Sequence, residues 1–464
     1  MSAKQQEIAK APRLAGQGEA QEAEPLGAEV LVVKQDEENL ADSERLMEET
    51  VSRDNVRRAY QRVKANGGAP GVDRMTVEKF ADYLKDQWPT IKEQLLNGMY
   101  KPEPVRRVEI PKPDGGVRSL GIPNVLDRMI QQALLQVLQP KWDPTFSPHS
   151  YGFRPGRSAH QAVREAQRYI QAGYSWVVDI DLEKFFDRVN HDRLMAKVAE
   201  RIRDKRVLKL IRAFLNAGVM ENGLISPTVG GTPQGGPLSP LLSNIVLDEL
   251  DQELTKRGHR FVRYADDSNV YVRSEKAGQR VMASITRFIT KRLKLKVNAA
   301  KSAVDRPQNR KLLGFSFSKS NRRQLAPKAV RRFKEKVRAI TSRTGGKSAR
   351  QVIAKLKRYL SGWVQYFGIA QLKKDFELLD SWIKHRLRSM IWKQWGTGKK
   401  RYLELRRHGV RPYTAWVTIK SGHGPWRLSR SPAVQTVLNA SFFVALGLPS
   451  LTEAYLLSSR RTAV

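Results

Sequence analysis

Two stretches concentrate carboxylates where extended chain would hold them. In Trp176-Val177-Val178-Asp179-Ile180-Asp181-Leu182 an apolar, β-rich run carries an acid to its C-terminal end, and Glu183-Lys184-Phe185-Phe186-Asp187 then turns away. In Phe261-Val262-Arg263-Tyr264-Ala265-Asp266-Asp267-Ser268-Asn269-Val270-Tyr271-Val272 two β-rich runs flank an adjacent Asp pair, the pattern of a hairpin with acids at its tip. Neighbouring carboxylates repel one another, so a site that keeps both ionised supplies cations. Two Mg²⁺ ions roughly 4 Å apart can activate an attacking 3′-hydroxyl and stabilise a leaving pyrophosphate, the chemistry of nucleotide addition. Asp181, Asp266 and Asp267 are the candidate metal ligands and catalytic acids, with Mn²⁺ as a substitute ion. Taken alone, an Asp-Asp turn is also an ordinary solvated turn.

The elements that must position these acids mix two periods. Leu126, Ile130, Ala133, Leu134, Val137 and Leu138 predict an amphipathic helix. Ser158 predicts the cap of a second helix carrying Ala162, Val163, Ala166 and Ile170. β-rich runs interrupt the helices at 105–110, 176–182, 261–264 with 269–273, and 313–317, and together predict one antiparallel sheet backed by helices. Pro240 predicts the start of a helix over 241–254. The fold class is therefore α+β. From residue 327 to 394 the apolar positions keep helical spacing while Lys and Arg fill the other faces, which predicts a basic helical bundle. Beyond Trp395 the pattern weakens into Gly-, Pro- and Trp-punctuated sequence, and a small module beginning near residue 400 is expected.

Charge bounds the partners. The 464 residues hold 83 Lys plus Arg against 46 Asp plus Glu, a net of +37, and a field of that sign attracts polyanions. Residues 1–50 run against the trend, with 5 basic and 12 acidic residues, and residues 1–42 read as a disordered acidic leader. The last block, 319–464, has 32 basic and 6 acidic residues. The chain contains no cysteine, which excludes a disulfide framework, Cys-ligated zinc and a thiol nucleophile, and fits an intracellular life. No apolar run reaches the roughly 18 residues of a membrane span.

Further boxes surround the acids in a fixed order. Tyr264-Ala265-Asp266-Asp267 resembles the Tyr-x-Asp-Asp box of reverse transcriptases, and Asp181 with Phe185-Phe186 resembles the first catalytic strand of their palm. Ile110-Pro111-Lys112-Pro113-Asp114-Gly115-Gly116-Val117-Arg118 resembles the fingers hairpin, and Ser150-Tyr151-Gly152-Phe153-Arg154-Pro155-Gly156-Arg157-Ser158 the box that follows it. Gly231-Thr232-Pro233-Gln234-Gly235-Gly236-Pro237-Leu238-Ser239-Pro240 is the most specific match, and Asn298-Ala299-Ala300-Lys301-Ser302 and Leu313-Gly314-Phe315 resemble the closing palm boxes. Over residues 43–460 the chain resembles the bacterial group II intron-encoded proteins, reverse transcriptases that double as maturases.

That resemblance implies a right-hand polymerase, with fingers and palm over 43–318, an α-helical thumb/maturase domain over 319–399 and a nucleic-acid-binding module over 400–464. It implies an RNA-directed DNA polymerase that also binds its host group II intron RNA in splicing and mobility. Its partners would be that RNA, a primed RNA template, dNTPs and a DNA target, and its place the bacterial cytoplasm at the nucleoid. By the same token Lys112 and Arg118 would meet a triphosphate, Phe186 would pack against the sugar and reject a 2′-hydroxyl, and Gln234 before its Gly pair would meet the template–nucleotide pair. Arg154 and Lys301 would be phosphate or structural contacts. Trp363, Tyr366, Trp382, Trp392 and Trp395 would offer stacking faces to RNA, with about half of them in the core instead. The ending Gly424-Pro425-Trp426-Arg427-Leu428-Ser429 resembles that of short intron proteins, and no zinc-supported nuclease motif is matched. Two other readings stay open, an RNA-binding splicing factor with an inactive polymerase and a retron or diversity-generating reverse transcriptase.

Overall fold

The amphipathic patterns above become two long helices, Val125–Trp142 and Ala159–Gln171, the second closed by a full capping box between Ser158 and Gln161. They belong to a computed structural model that describes residues 44–111, 116–221, 224–226, 231 and 235–461. The acidic leader, Lys112 and Gln234 lie outside the described residues, and of Arg118 only the backbone is described.

Ten strands occur among the described residues: β1 (Val105–Pro111), β2 (Val117–Ile122), β3 (Trp176–Ile180), β4 (Val219–Glu221), β5 (Leu224–Ser226), β6 (Arg260–Tyr264), β7 (Asp267–Val272), β8 (Ala303–Asp305), β9 (Phe315–Phe317) and β10 (Arg323–Leu325). They do not form the single antiparallel sheet expected from the sequence. They divide into a four-stranded sheet β2-β1-β4-β5, a four-stranded sheet β6-β7-β3-β8 and the pair β10-β9, and β1 meets β4 in parallel. The reason lies in what each run can bury. The strands around the acids carry Val177, Val178, Ile180, Phe261, Val262 and Val270 at 2% exposure or less, so helices cover them on both faces. On the β1–β2 hairpin Ile110 and Val117 stay exposed, and the hairpin projects with little to cover it.

The basic helical region forms Pro327–Ile340, Ala349–Phe367 and Lys373–Gln394. Residues beyond 397 add six helices, and Pro412, Pro425 and Pro432 open three of them at the first turn, where proline's fixed φ and missing N–H cost nothing. Leu405, Ala415, Val434, Phe443 and Tyr455 join one hydrophobic cluster with Trp363, Trp392, Phe333 and Val262, so packing runs continuously from the acid-bearing sheet through the helical region to the last helix. That helix, Leu451–Arg461, is held at its start by Asp380, whose carboxylate accepts from Leu451 N and Thr452 N at 2.9 Å each. Among the described residues no helix is long and apolar enough to cross a membrane.

Candidate active site

Register brings the acids together. β3 pairs antiparallel with β7 so that Ile180 opposes Ser268, and one step further along this ladder Asp181 comes opposite Asp267. β7 pairs with β6 through Tyr264 and Asp267, which leaves Ala265 and Asp266 as a two-residue turn, with Ala265 at φ +58. A tight two-residue hairpin turn with positive φ at its first central residue matches the right-handed twist of the flanking strands. Asp266 and Asp267 thus sit at a hairpin tip beside the end of the strand that carries Asp181.

The backbone around Asp181 is tied on its other side. Asp181 N donates to Ser302 Oγ at 3.0 Å and Asn298 N donates to Asp181 O at 2.8 Å. Lys301 Nζ stands 3.8 Å from Asp181 Oδ1, a contact at the edge of the acid cluster. Arg154 has a structural role: its guanidinium is buried and donates to Asp143 Oδ1 at 2.8 Å, to Asp143 O at 2.7 Å and to Ser147 O at 2.7 Å.

A fourth carboxylate, Asp179, was visible in the sequence but given no role there. It lies two residues before Asp181, hence on the same strand face, and Arg310 donates to its Oδ2 from Nε at 3.0 Å and Nη2 at 2.6 Å. Burial pushes the Asp179 carboxyl up, Arg310 pulls it back and Asp181 pushes it up again. Asp267 keeps a solvent-facing side, yet desolvation by the surrounding protein and repulsion from Asp266, Asp179 and Asp181 push it up to about 6, with Lys311 pulling down. Such crowding of hard oxygen donors of one sign suits divalent cations. Among the described residues no three acids or histidines close into a ready metal cage.

Phe186 is half-buried beside Phe185, ring centroids 5.2 Å apart, and lines a cavity of about 450 Å³ that it shares with Gly235, Gly236, Phe153, Arg62 and Arg128. The chain around Gly231 folds back against it. Gly231 N donates to Val189 O at 2.8 Å, and a Cβ there would stand 2.6 Å from Phe186 O. The aromatics of the helical region divide. Trp363 and Trp392 are buried in the shared core and offer no stacking face, Trp363 packing against the rings of Phe333 and Phe376 and Trp392 against that of Trp395. Tyr366 donates from its hydroxyl to Leu313 O at 2.9 Å. Trp382 is half-buried with Lys334 and Arg338 within 6 Å of its ring.

The Arg263 network is not legible in the sequence. Arg263 has no solvent exposure and donates to Asp251, Asn244 Oδ1, Ala265 O and Ser150 Oγ. Its partners lie up to 113 residues away, and the only local signal was a charged residue at an inward position of a β-run.

Residues 110–317 match the reverse transcriptase (RNA-dependent DNA polymerase) family and residues 330–409 the group II intron maturase-specific domain. Protein YkfC of Escherichia coli is 42% identical over 192 residues, 40% of this chain and 50% of that protein. The group II intron-encoded protein LtrA of Lactococcus lactis is 38% identical over 208 residues, 44% of this chain and 34% of that protein. The matches thus span half or less of these relatives' length. Among solved structures, a chain of a partial Cas6-RT-Cas1–Cas2 complex is 25% identical with a TM-score of 0.35, covering 53% of this chain and 42% of that one. With a reverse transcriptase match over the acid-bearing sheet and a maturase match directly after it, the chain belongs to the group II intron-encoded reverse transcriptase/maturase family.

Proposed function

We propose that the chain is an RNA-directed DNA polymerase that also binds the RNA of its host group II intron as a maturase, aiding splicing and intron mobility. The observation that carries this reading is the register that sets Asp181 beside the Asp266-Asp267 tip, inside the segment with the reverse transcriptase match. Asp181, Asp266 and Asp267 would hold two Mg²⁺ ions, with Mn²⁺ able to replace them. Such ions, when bound, lower the pKa of a primer 3′-hydroxyl and balance charge on the departing pyrophosphate.

The chain's own residues supply position. Ser302 and Asn298 fix the backbone that carries Asp181. Arg263 fixes the carbonyl of Ala265 and thereby the turn that carries Asp266. Phe186 stands where a ring would crowd C2′ of an incoming sugar, and Lys112, Arg118 and Gln234 are the proposed contacts to the triphosphate and the nascent pair. The division into fingers and palm over 43–318, thumb/maturase domain over 319–399 and C-terminal nucleic-acid-binding module over 400–464 belongs to the same proposal. So do the RNA template with DNA primer, dNTPs and DNA target as partners, and work at the bacterial nucleoid. The 32 basic residues of 319–464 against 6 acidic ones support RNA binding by this region.

The test is extension of a labelled DNA primer on an RNA template by the purified chain with Mg²⁺ and dNTPs. Template-directed cDNA is expected, and no product under conditions where the chain binds the duplex would overturn the polymerase reading.

A further inference from the structure

We propose that Phe153 is a stacking platform for a nucleobase of the RNA template strand, a role that rests on the polymerase reading above. Phe153 is anomalous twice over. It is a bulky residue at φ +59, a left-handed conformation that side chains with a Cβ resist, and it leaves 46% of its surface exposed, where burial would have favoured the fold. Strain combined with exposure persists only when the surroundings impose it, and such outliers cluster at working sites.

The surroundings here are well defined. On one side, Gly152 is pressed so closely against the acid-bearing turn that a Cβ would come 2.2 Å from Ala265 N, and its carbonyl accepts from Asn244 Nδ2 at 3.0 Å. On the other side, Arg154 is locked to Asp143 and Ser147. With both neighbours immobilised, the backbone of Phe153 has no freedom to relax, and its ring is held out 6.5 Å from that of Tyr264.

The ring faces the cavity of about 450 Å³ whose wall also includes Arg62, Asn66, Arg128 and the Gly235-Gly236 pair. An aromatic face, two guanidinium groups and a flat glycine floor are what a nucleotide within a strand needs: a partner for the base, cations for its phosphates and room for its backbone. None of Asp181, Asp266 and Asp267 lines this cavity. An incoming nucleotide must bring its triphosphate to those acids while Phe186, on the wall of this same cavity, meets its sugar, so the part of the cavity at Phe153 suits the template nucleotide that lies opposite it.

The experiment uses the full chain bound to a primed RNA template carrying 5-iodouridine at one unpaired position at a time beside the primer terminus, without dNTPs. Long-wavelength irradiation links the iodouracil ring to an aromatic side chain stacked on it, and the linked peptide is mapped by mass spectrometry. One template position should link to Phe153. Phe153→Gly should bind the primed template roughly 5- to 150-fold more weakly, the range for loss of one base–aromatic stack, yet melt at or above the wild-type temperature because glycine accepts the positive φ. Phe153→Trp should keep both the link and the affinity. No link to residue 153 from any position, or a Phe153→Gly variant that binds normally or melts lower, overturns the proposal. If wild-type protein forms the link but extends no primer, the polymerase reading fails and the stacking site stands.

Discussion

The guanidinium of Arg263 and the carboxylate of Asp251 meet with no solvent exposure on either side chain, Nη2 lying 2.6 Å from Oδ2 and Nε 2.8 Å from Oδ1. The remaining N–H groups go to Asn244, Ser150 and Ala265 O, so all five donors are used. One ion pair thereby ties the helix Ser239–Lys256, the loop at Ser150 and the turn that holds Asp266. Removing one partner strands a buried charge, which costs about 3–5 kcal/mol, whereas replacing both by apolar groups costs much less. Asp251→Asn should therefore destabilise the chain by about that amount in denaturant titration, and Arg263→Met with Asp251→Leu by clearly less than the two single losses together. Additive losses would contradict the pairing.

Gly152→Ala should be severe. Its Cβ would meet Ala265 N at 2.2 Å and Tyr264 C at 2.9 Å, both backbone atoms of the acid-bearing turn, so the turn itself must shift. A displacement near 1 Å at a reacting centre costs on the order of 100-fold in rate. Gly362→Ala is the control. It lies within the helix Ala349–Phe367 with nothing within 4 Å of a new Cβ, and should stabilise by roughly 0.5–1 kcal/mol. Primer-extension rates and melting temperatures of the two variants decide the matter, and equal rates would refute the close approach.

What the sequence disclosed, and what it concealed, follows the range of the interactions. The acid-tipped hairpin is legible because both strands and the turn lie within thirteen residues, and the Ser158 cap because its partner is three residues away. Arg310 pairs with Asp179 across 131 residues, and no local pattern announces that. The helices opened by Pro412, Pro425 and Pro432 read as broken sequence because proline marks a helix start as readily as a break. Trp363 and Trp392 show the limit of periodicity: it places an aromatic on a helix face without saying whether that face meets RNA or the core.

Asp127 gives the chain a pH-dependent weakness away from the acids. Burial raises its carboxyl to about 7, while the Tyr100 hydroxyl, donating to Oδ1 at 2.8 Å, pulls it down. A folded-state pKa above the unfolded value near 3.9 means that the folded chain holds this proton more tightly. The stabilisation it brings is complete below pH 4 and is lost as pH rises through 7. Asp127→Asn cannot lose a proton, so relative to wild type it should gain stability over that window, by up to about 4 kcal/mol at one pKa unit per 1.36 kcal/mol. Denaturant midpoints at pH 5 and pH 8 test this, and a constant difference between the two proteins would exclude Asp127 as the source.

Phe186→Ala should relax sugar selection. The half-buried ring lines the cavity beside Gly235 and Gly236, and shortening it would remove the group proposed to crowd a 2′-hydroxyl. Competing ribo- and deoxyribonucleotides in single-turnover incorporation should show the preference for deoxyribonucleotides fall at least tenfold, with extension itself retained. An unchanged preference would assign Phe186 to packing against Phe185.

The polymerase reading turns on the two adjacent acids at the hairpin tip. The decisive measurement is primer extension by Asp266→Ala and Asp267→Ala alongside their affinity for the same primed RNA. A carboxylate that acts on the transition state contributes little to holding a long polyanion. Both variants should lose cDNA synthesis by at least about 1,000-fold, a loss of some 4 kcal/mol in transition-state stabilisation, while binding RNA within a fewfold of wild type. Extension near the wild-type rate in both variants would contradict the assignment of Asp266 and Asp267 to catalysis.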